Sequence, residues 1–366
     1  MNKRTINVTE PFLPPLEKYV EYLKKIWDRN HLTNQGPLVK ELEIRIKNYH
    51  NLEMPVYCVA NGALGLQIAI RALGVTGEVI TTPFSYVATT ACPLWEGCSV
   101  KFADIDQESL TISPAAVEAS ITSRSEAIVA THVFGNPCDV ESLKVIAEKH
   151  GLALIYDAAH AFGITYKGRS LLEWGDASMV SMHATKLFHT VEGGFIVARE
   201  PLVSEKMEWM RRFAHEGPFA YKGIGTNAKM SELHAAMGLC NFNYIKYILE
   251  RRAEICGWYD ELLGHRDSNS KSCTLNYRAG SSRNYSYYPI LLESETILKE
   301  KIEKLALEEI FPRRYFHPAL DQIGLSTTQV DSCPIAKSIS ERILCLPLSD
   351  KLTNEEAVQI CTVLKA

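Results

Sequence analysis

The chain has 366 residues, of which 46% are hydrophobic and 22% are charged, and its formal net charge is −4. This composition is typical of a globular protein with a substantial core, and the small negative charge argues against general affinity for nucleic acid. No run approaches the roughly 20 apolar residues of a membrane-spanning helix, and no apolar signal core follows Met1. We therefore expect a cytoplasmic protein with neither nucleic acid nor a membrane as a partner.

The ten cysteines are scattered along the chain. They form no C-x-x-C pair and no Cys/His spacing typical of metal sites, and Cys58, Cys240 and Cys345 lie in apolar segments. This pattern predicts buried free thiols and no bound metal.

The first predicted elements belong to an N-terminal segment over residues 1–36. An extended entry reaches Pro14 and Pro15, and a helix is expected over 16–27. A second, amphipathic helix is predicted over 38–49, and its apolar positions include Leu42, Ile44 and Ile46.

Strand and helix patterns alternate from residue 56 to 182. Asn61 and Asp139 are suited to cap helices that end near Gly74 and Gly151. The alternation predicts an α/β fold with an open, mostly parallel sheet and helices on both faces. The predicted strands are 56–60, 78–82, 99–105, 127–134, 152–156 and 177–182.

The alternation ends at about Phe242. We predict a helix over 245–263, a polar loop over 267–282, and strands over 287–292 and 342–346 that flank a helix capped by Ser294. This pattern indicates a smaller C-terminal α+β domain over 245–366. The preceding residues are divided into an N-terminal arm and helix, 1–36, and a large domain, 37–244.

Two residues near predicted strand ends form the pair that pyridoxal phosphate (PLP) chemistry requires. Lys186 follows Ser181-Met182-His183-Ala184-Thr185, and Asp157 follows the apolar run 152–156. A lysine amine can form a Schiff base with the cofactor aldehyde, and a carboxylate can hold the pyridine nitrogen protonated. Each residue alone is more often a loop or capping residue. Their coincidence at the carboxyl edge of one sheet, where ligands bind, favours a catalytic role.

Further candidate contacts suit the phosphate of such a cofactor. Asn61-Gly62-Ala63 joins a strand to a helix, where free N–H groups and the helix dipole attract anions, and Ser181 can add a hydroxyl. Asn227 and Lys229, at the start of a helix predicted within 225–237, are also candidates, although a solvated lysine is the commoner role.

Aromatic and imidazole groups are candidates for the pyridine ring. Tyr86 is expected to stack on the ring, with Phe84 in reserve, although core packing is an even alternative for either. His160, three residues after Asp157, can reach the ring hydroxyl, although a lone histidine is more often structural.

Together these motifs resemble the DegT/StrS-type family of sugar aminotransferases. The likeness extends from Leu32-Thr33-Asn34-Gln35-Gly36-Pro37 to Leu346-Pro347-Leu348. It implies the PLP fold type I architecture and a homodimer with shared active sites. Members usually transfer an amino group from L-glutamate to a keto group of a nucleotide-linked sugar. The matching motifs are residues 60–63, 82–89, 157–163, 181–186 with 192–194, and 225–233.

The resemblance also assigns roles to individual residues. It implies that Lys186 is the Schiff-base lysine, that Asp157 contacts the pyridine nitrogen, that His160 contacts the ring hydroxyl and that Tyr86 stacks. At the phosphate it implies Gly62, Ala63 and Ser181, with Asn227 reaching across from the partner subunit.

Segments 75–82, 135–140 and 312–316 are similar to a subgroup that forms 4-amino-4,6-dideoxy sugars. The run His183-Ala184-Thr185-Lys186 favours chemistry at C-4 over C-3. The resemblance therefore implies amino transfer to the C-4 keto group of a nucleotide-linked 4-keto-6-deoxyhexose, dTDP-4-keto-6-deoxyglucose in particular.

The substrate contacts are the least specific part of the sequence. Arg313, Arg314 and Lys222 are candidates for the diphosphate, and His317 is a candidate sugar contact where the family has a tyrosine. The alternatives are a C-3 keto-sugar aminotransferase and a non-catalytic ligand-binding homologue. A related sugar dehydratase carries histidine in place of the lysine, so Lys186 argues against that activity.

Overall fold

The computed structural model describes residues 4–264, 273–325 and 332–366. Its strands are β1 (Ile6–Asn7), β2 (Tyr57–Val59), β3 (Glu78–Thr81), β4 (Ser99–Phe102), β5 (Ser125–Thr131), β6 (Ala153–Asp157), β7 (Thr165–Tyr166), β8 (Arg169–Ser170), β9 (Ala177–Ser181), β10 (Gly194–Ala198), β11 (Cys273–Thr274), β12 (Tyr288–Leu291), β13 (Ile310–Phe311) and β14 (Ile343–Leu346).

The helices are α1 (Leu16–Arg29), α2 (Pro37–Tyr49), α3 (Gly62–Ala72), α4 (Ala88–Trp95), α5 (Pro114–Ser120), α6 (Val140–His150), α7 (Pro201–Met210), α8 (Glu232–Phe242), α9 (Ile245–Leu263), α10 (Glu295–Leu307), α11 (Pro334–Arg342) and α12 (Asn354–Lys365).

A seven-stranded sheet in the order β2-β10-β9-β6-β5-β3-β4 forms the centre of the molecule. Its strands are parallel except for β10, which runs antiparallel to both of its neighbours. Alternate sheet residues enter two separate apolar clusters, one shared with α2, α6 and α8 and the other with α3, α4 and α7. The prediction of a mostly parallel sheet covered on both faces is confirmed.

The predicted caps form as expected. The side chain of Asn61 accepts a hydrogen bond from Leu64 N–H at the start of α3. Asp139 and Ser294 make the equivalent bonds at the starts of α6 and α10. These bonds satisfy N–H groups that the first turn of a helix leaves without partners, which explains where the three helices begin.

Several predicted details are wrong. Ile44 is 61% exposed, because it lies two residues from both Leu42 and Ile46 and therefore on the opposite side of α2. The strand predicted over 127–134 ends at Thr131, and Phe134 adopts a left-handed conformation (φ 56°) within a short 3₁₀ turn.

Other boundaries also shift. The helix expected from 225 begins only at Glu232, where the Ser231 side chain caps it. The strand β11 lies inside the predicted loop 267–282, whose residues 267–272 are outside the described part of the chain. Sequence patterns did not reveal α4, α5, α7, α11 or α12.

The C-terminal residues build a three-stranded antiparallel sheet in the order β11-β12-β14, packed against α9, α10 and α12. Strand β1 pairs in parallel with β13, and Ile6 is buried in the same apolar cluster. The N-terminal arm therefore contacts the C-terminal part of the chain. The division into 1–36, 37–244 and 245–366 remains a prediction.

The nine cysteines with described side chains are buried and free of disulfides, as expected. Within the described ranges, no helix has both the length and the apolar composition needed to cross a membrane.

Candidate active site

A cavity of about 300 Å³ opens at the carboxyl edge of the central sheet. Asp157, Ser181 and Thr131 line it as the last residues of β6, β9 and β5, and Asn61 lines it just after β2. Parallel strands bring these residues together because their carboxyl ends share one edge. The predicted residues that line the cavity are Gly62, Ala63, Tyr86, Asp157, His160, Ser181, Lys186 and Arg313.

Lys186 lies on a short turn between β9 and β10, and its N–H donates to the carbonyl of His183 at 2.8 Å. Its ammonium has no hydrogen bond or ion pair within the described part of the chain. The side chain is partly open to the cavity, yet protein surrounds it closely. Burial therefore lowers the pKa of Lys186, although the charge of Asp157 opposes this shift.

Asp157 is buried and held by two hydrogen-bond donors. Thr89 Oγ1 donates at 2.7 Å and the N–H of Ala159 at 3.0 Å. Burial raises the pKa of Asp157, while both donors and Lys186 act in the opposite direction. Ser85 lies 2.7 Å from Thr89 and 3.0 Å from Thr131, so a chain of hydroxyls extends from the carboxylate into the protein.

His160 is fixed in one orientation. Its Nδ1 accepts the N–H of Phe134 at 3.1 Å, so the ring carries its hydrogen on Nε2 when neutral. Burial, assisted by the charge of Lys186, lowers the pKa of His160 well below its usual value. The Asn284 and Ser286 side chains donate to its carbonyl at 2.8 and 3.0 Å. The site therefore contains a neutral imidazole.

The start of α3 forms the other end of the cavity. Within the described chain, the N–H groups of Gly62 and Ala63 have no acceptor, so they remain available to an anion. A Cβ on Gly62 would lie 2.9 Å from Met179 Sδ and 3.2 Å from Ser181 Cβ. Glycine is therefore also required by the close packing of α3 on β9, a role that the sequence analysis did not assign.

The two aromatic candidates occupy different environments. Tyr86 lines the cavity and is 58% exposed, whereas Phe84 is fully buried. Phe84 packs edge-on against Phe134 and Phe316 in an apolar cluster. The ring of Tyr86 is therefore open to a ligand in the cavity, whereas Phe84 belongs to the core.

Besides Phe84, five candidate residues lie outside the cavity lining, namely Arg314, His317, Lys222, Asn227 and Lys229. Arg314 donates to Glu295 at 2.9 Å and contacts His317 Nδ1 at 3.0 Å. Lys222 pairs with Glu205 at 2.8 Å on the surface. Asn227 accepts a hydrogen bond from the ammonium of Lys229. The structure does not bring Arg314, His317, Lys222 or Asn227 to the cavity of the same chain.

In and just behind the cavity lie polar side chains that sequence reasoning missed. Ser85 lines the cavity, and Thr89 supports Asp157 from behind the lining. Both lie inside the 82–89 motif, of which only the aromatic residues were considered. Tyr287 comes from the C-terminal part, where no motif signalled it. The other missed polar lining residues are Thr131, Thr185, Glu192 and Tyr315.

These residues fit PLP. Among the described residues, the buried carboxylate of Asp157 and the unpartnered amine of Lys186 share one cavity, and the charge of each shifts the pKa of the other. Unpaired N–H groups of the described chain lie at the start of α3. A carboxylate for the ring nitrogen, an amine for the aldehyde and N–H groups for the phosphate are the groups that PLP requires. In the described ranges, no cluster of three or more His, Cys, Asp or Glu residues could hold a metal ion.

Residues 16–365 match the model of the DegT/DnrJ/EryC1/StrS aminotransferase family. The chain is 38% identical over 357 residues to a dTDP-4-amino-4,6-dideoxy-D-glucose transaminase of Shigella dysenteriae, with 96% of each protein covered. It is 35% identical over 373 residues to an Escherichia coli enzyme of the same name, with 100% of this chain and 99% of the relative covered.

Solved structures share the fold. DesI, crystallised in the presence of its TDP-sugar product, has a TM-score of 0.93 and 29% identity over 100% of this chain and 93% of its own. The PLP form of a putative sugar aminotransferase, Spr1654 from Streptococcus pneumoniae, has a TM-score of 0.88 over 99% of this chain and 97% of its own, and its 23% identity supports the fold alone. The matched residues and the cavity lead to one conclusion: this chain belongs to the DegT/DnrJ/EryC1/StrS aminotransferase family.

Proposed function

We propose that this protein is a PLP-dependent aminotransferase that moves an amino group from L-glutamate to the C-4 keto group of a nucleotide-linked 4-keto-6-deoxyhexose. The proposed sugar substrate is dTDP-4-keto-6-deoxyglucose. The meeting of Lys186 and Asp157 in one buried cavity carries the proposal. The names of the Shigella and Escherichia relatives support the nucleotide and the C-4 position.

When bound, PLP supplies an electron-withdrawing ring that stabilises negative charge on the reacting carbon. Asp157 supports that chemistry because a carboxylate beside the ring nitrogen keeps the nitrogen protonated. The hydrogen bonds from Thr89 and Ala159 favour the charged carboxylate despite its burial.

Lys186 is assigned the proton transfers at the reacting carbon. Its pKa is lowered by burial, so a larger share of the amine is neutral near pH 7 than for a solvent-exposed lysine. A neutral amine can accept a proton and return it, which both halves of an amino transfer require.

The other lining residues bind and orient the ligand. The proton on His160 Nε2 can be donated to an oxygen, and the N–H groups of Gly62 and Ala63 suit a phosphate. Arg313 is the favoured diphosphate contact, because it lines the cavity whereas Arg314 and Lys222 bind acidic side chains elsewhere.

We also propose a cytoplasmic homodimer in which each subunit completes the other's site. Phe219, Tyr221 and Ile224 are 95%, 62% and 75% exposed on the segment that leads to Asn227. A group of large exposed apolar side chains is typical of a surface that a partner covers. Asn227 lies outside its own cavity lining, which leaves it available to a partner subunit.

The decisive experiment compares the wild-type protein with Lys186→Ala. Purified protein is incubated with L-glutamate and a panel of nucleotide-linked keto-sugars, and NMR assigns the carbon that gains the amine and its configuration. Wild-type protein should aminate C-4, and Lys186→Ala should fold normally without turnover. Amination at C-3, or near-normal turnover by the variant, would contradict the assignment.

A further inference from the structure

Glu192 places a second carboxylate in the lining of the cavity that contains Lys186. Its Oε1 lies 3.5 Å from His183 Nε2, and both side chains line the cavity. In the described chain, His183 is the only ionic partner of Glu192, so much of the carboxylate remains available to a ligand. None of the roles assigned above uses this pair.

His183 is oriented to serve Glu192. The N–H of Thr185 donates to His183 Nδ1 at 3.2 Å, and Thr185 Oγ1 lies 2.8 Å from the same nitrogen. An imidazole that accepts at Nδ1 carries its hydrogen on Nε2. That hydrogen is on the nitrogen nearest Glu192, 3.5 Å from its Oε1, so the imidazole presents a donor toward one carboxylate oxygen.

The backbone before Glu192 is held in an unusual conformation. Val191 has a φ of 70°, which is sterically costly for a β-branched residue. Its N–H donates to His189 Nδ1 at 3.3 Å, and the buried ring of His189 contacts the carbonyl of Phe12 at 2.8 Å. Thr190 Oγ1 donates to the carbonyl of Glu192 at 2.8 Å. The fold maintains this turn, and with it the position of Glu192.

We propose that Glu192 is a specificity-determining residue that accepts a hydrogen bond from a hydroxyl of the keto-sugar, next to the carbon that receives the amine. This inference rests on the function proposed above and extends it to a particular substrate contact. A carboxylate is an acceptor with two oxygens, and a hexose hydroxyl is a donor, so the groups are complementary.

The charge of Glu192 should also affect the binding of the two substrates differently. L-Glutamate brings two carboxylates, which the negative charge of Glu192 does not favour. The hexose ring is neutral, and its negative diphosphate is attached to C-1, across the ring from the reacting C-4. Glu192 should therefore contribute binding energy to the sugar and little to the amino donor.

The experiment measures the two half-reactions separately by stopped-flow absorbance of the PLP-loaded protein. Glu192→Ala is compared with wild type, with Glu192→Gln as the conservative variant. The control is Glu148→Ala on α6, because Glu148 is a similarly exposed glutamate (64% against 54%) whose partner is Lys144. Calorimetry with the nucleotide-linked 4-amino sugar product gives a binding readout that does not depend on turnover.

We expect Glu192→Ala to weaken the sugar half-reaction and product binding by about ten- to a hundred-fold, the range for a hydrogen bond to a charged group. Glu192→Gln should fall between, and the glutamate half-reaction should be no slower than wild type in any variant. With the 3-deoxy analogue of the keto-sugar, the difference between wild type and Glu192→Ala should shrink, because the hydroxyl donor is missing.

Equal losses in both half-reactions, or an unchanged affinity for the sugar in Glu192→Ala, would overturn the inference. So would a loss that persists in full with the 3-deoxy analogue. If the wild-type protein aminates no keto-sugar at all, the proposed function itself fails, and this outcome is distinct because it does not depend on the variants.

Discussion

At the scale of single residues, the cavity combines ionisable groups whose environments oppose their charges. Burial raises the pKa of Asp157 and lowers those of Lys186 and His160. Such shifts destabilise the folded protein without its cofactor, and they are typical of active sites. The hydrogen bonds to Asp157 partly offset this cost, so removing the one from Thr89 tests how much such a bond contributes.

We expect Thr89→Val to weaken cofactor binding, because the change removes the 2.7 Å hydrogen bond to Asp157 and nearly preserves the side-chain volume. The loss should be about 1.5–3 kcal/mol, the usual contribution of a hydrogen bond to a charged group. Titration of apoprotein with PLP, followed by absorbance, measures the effect. Thr89→Ser keeps the hydroxyl and should bind nearly normally. An equal loss in both variants would show that packing, and not the hydrogen bond, matters.

The lowered pKa of Lys186 predicts a pH-dependent gain in stability for Lys186→Met in the apoprotein. Between the lowered folded pKa and the ordinary value of 10.5, the unfolded chain binds the proton more readily, so wild-type stability rises with pH. The variant should therefore be more stable than wild type near pH 7, and the difference should shrink as the pH approaches 10.5. Urea unfolding across this pH range is the measurement. A difference that is constant with pH would mean that the lysine is not held in an unfavourable environment.

At the scale of secondary-structure elements, the site depends on how closely α3 approaches β9. Asn61 caps the helix, and Gly62 and Gly65 leave no side chain between helix and strand. The Asn61 side chain is engaged by Leu64 N–H, so it serves the helix start.

We expect Gly62→Ala to destabilise the protein by about 1–3 kcal/mol, because its Cβ would overpack Met179 and Ser181. PLP affinity should also fall as the start of α3 moves. Gly257→Ala in α9 is the matched control, since its Cβ meets no atom within 4 Å. That control should gain about 0.5–1 kcal/mol from helix propensity and leave activity unchanged. Chemical denaturation and PLP titration measure both variants; a neutral Gly62→Ala would contradict the packing argument.

At the scale of the whole molecule, distant parts of the chain combine to build the site. The N-terminal strand β1 pairs with β13. The carbonyl of Phe12 contacts the ring of His189, which lies with Lys186 in the segment between β9 and β10. Tyr287, Arg313 and Tyr315 reach the cavity from the C-terminal part. The enclosure of Lys186 therefore depends on contacts between widely separated segments.

The proposed dimer predicts complementation between an inactive variant and an impaired one. Lys186→Ala removes the reacting amine, and Asn227→Ala should weaken the phosphate contact of the neighbouring subunit. In mixed dimers, one site then has both lysine and asparagine, so mixing the two purified variants after subunit exchange should restore part of the activity. Each variant alone, taken through the same exchange, is the control. If the mixture stays at the level of the unmixed proteins, Asn227 acts in its own subunit or has no role.

The sequence by itself determined the elements whose signals are local. Asn61, Asp139 and Ser294 mark helix starts because their side chains bond to nearby N–H groups. The alternation of strands and helices determined the mostly parallel sheet, and its topology in turn determined that Asp157 and Lys186 share one edge. The family resemblance could also be recognised from the sequence, because each of its motifs is a continuous stretch of the chain.

Only the tertiary structure decided which side chains enter the cavity. Phe84 and Tyr86 are two residues apart, yet one is core and the other lines the site. Arg313 and Arg314 are adjacent, yet only Arg313 lines the cavity. Tyr315 and Glu192 were missed for the same reason. Side-chain direction depends on packing between segments far apart in the chain, and no local pattern carries that information.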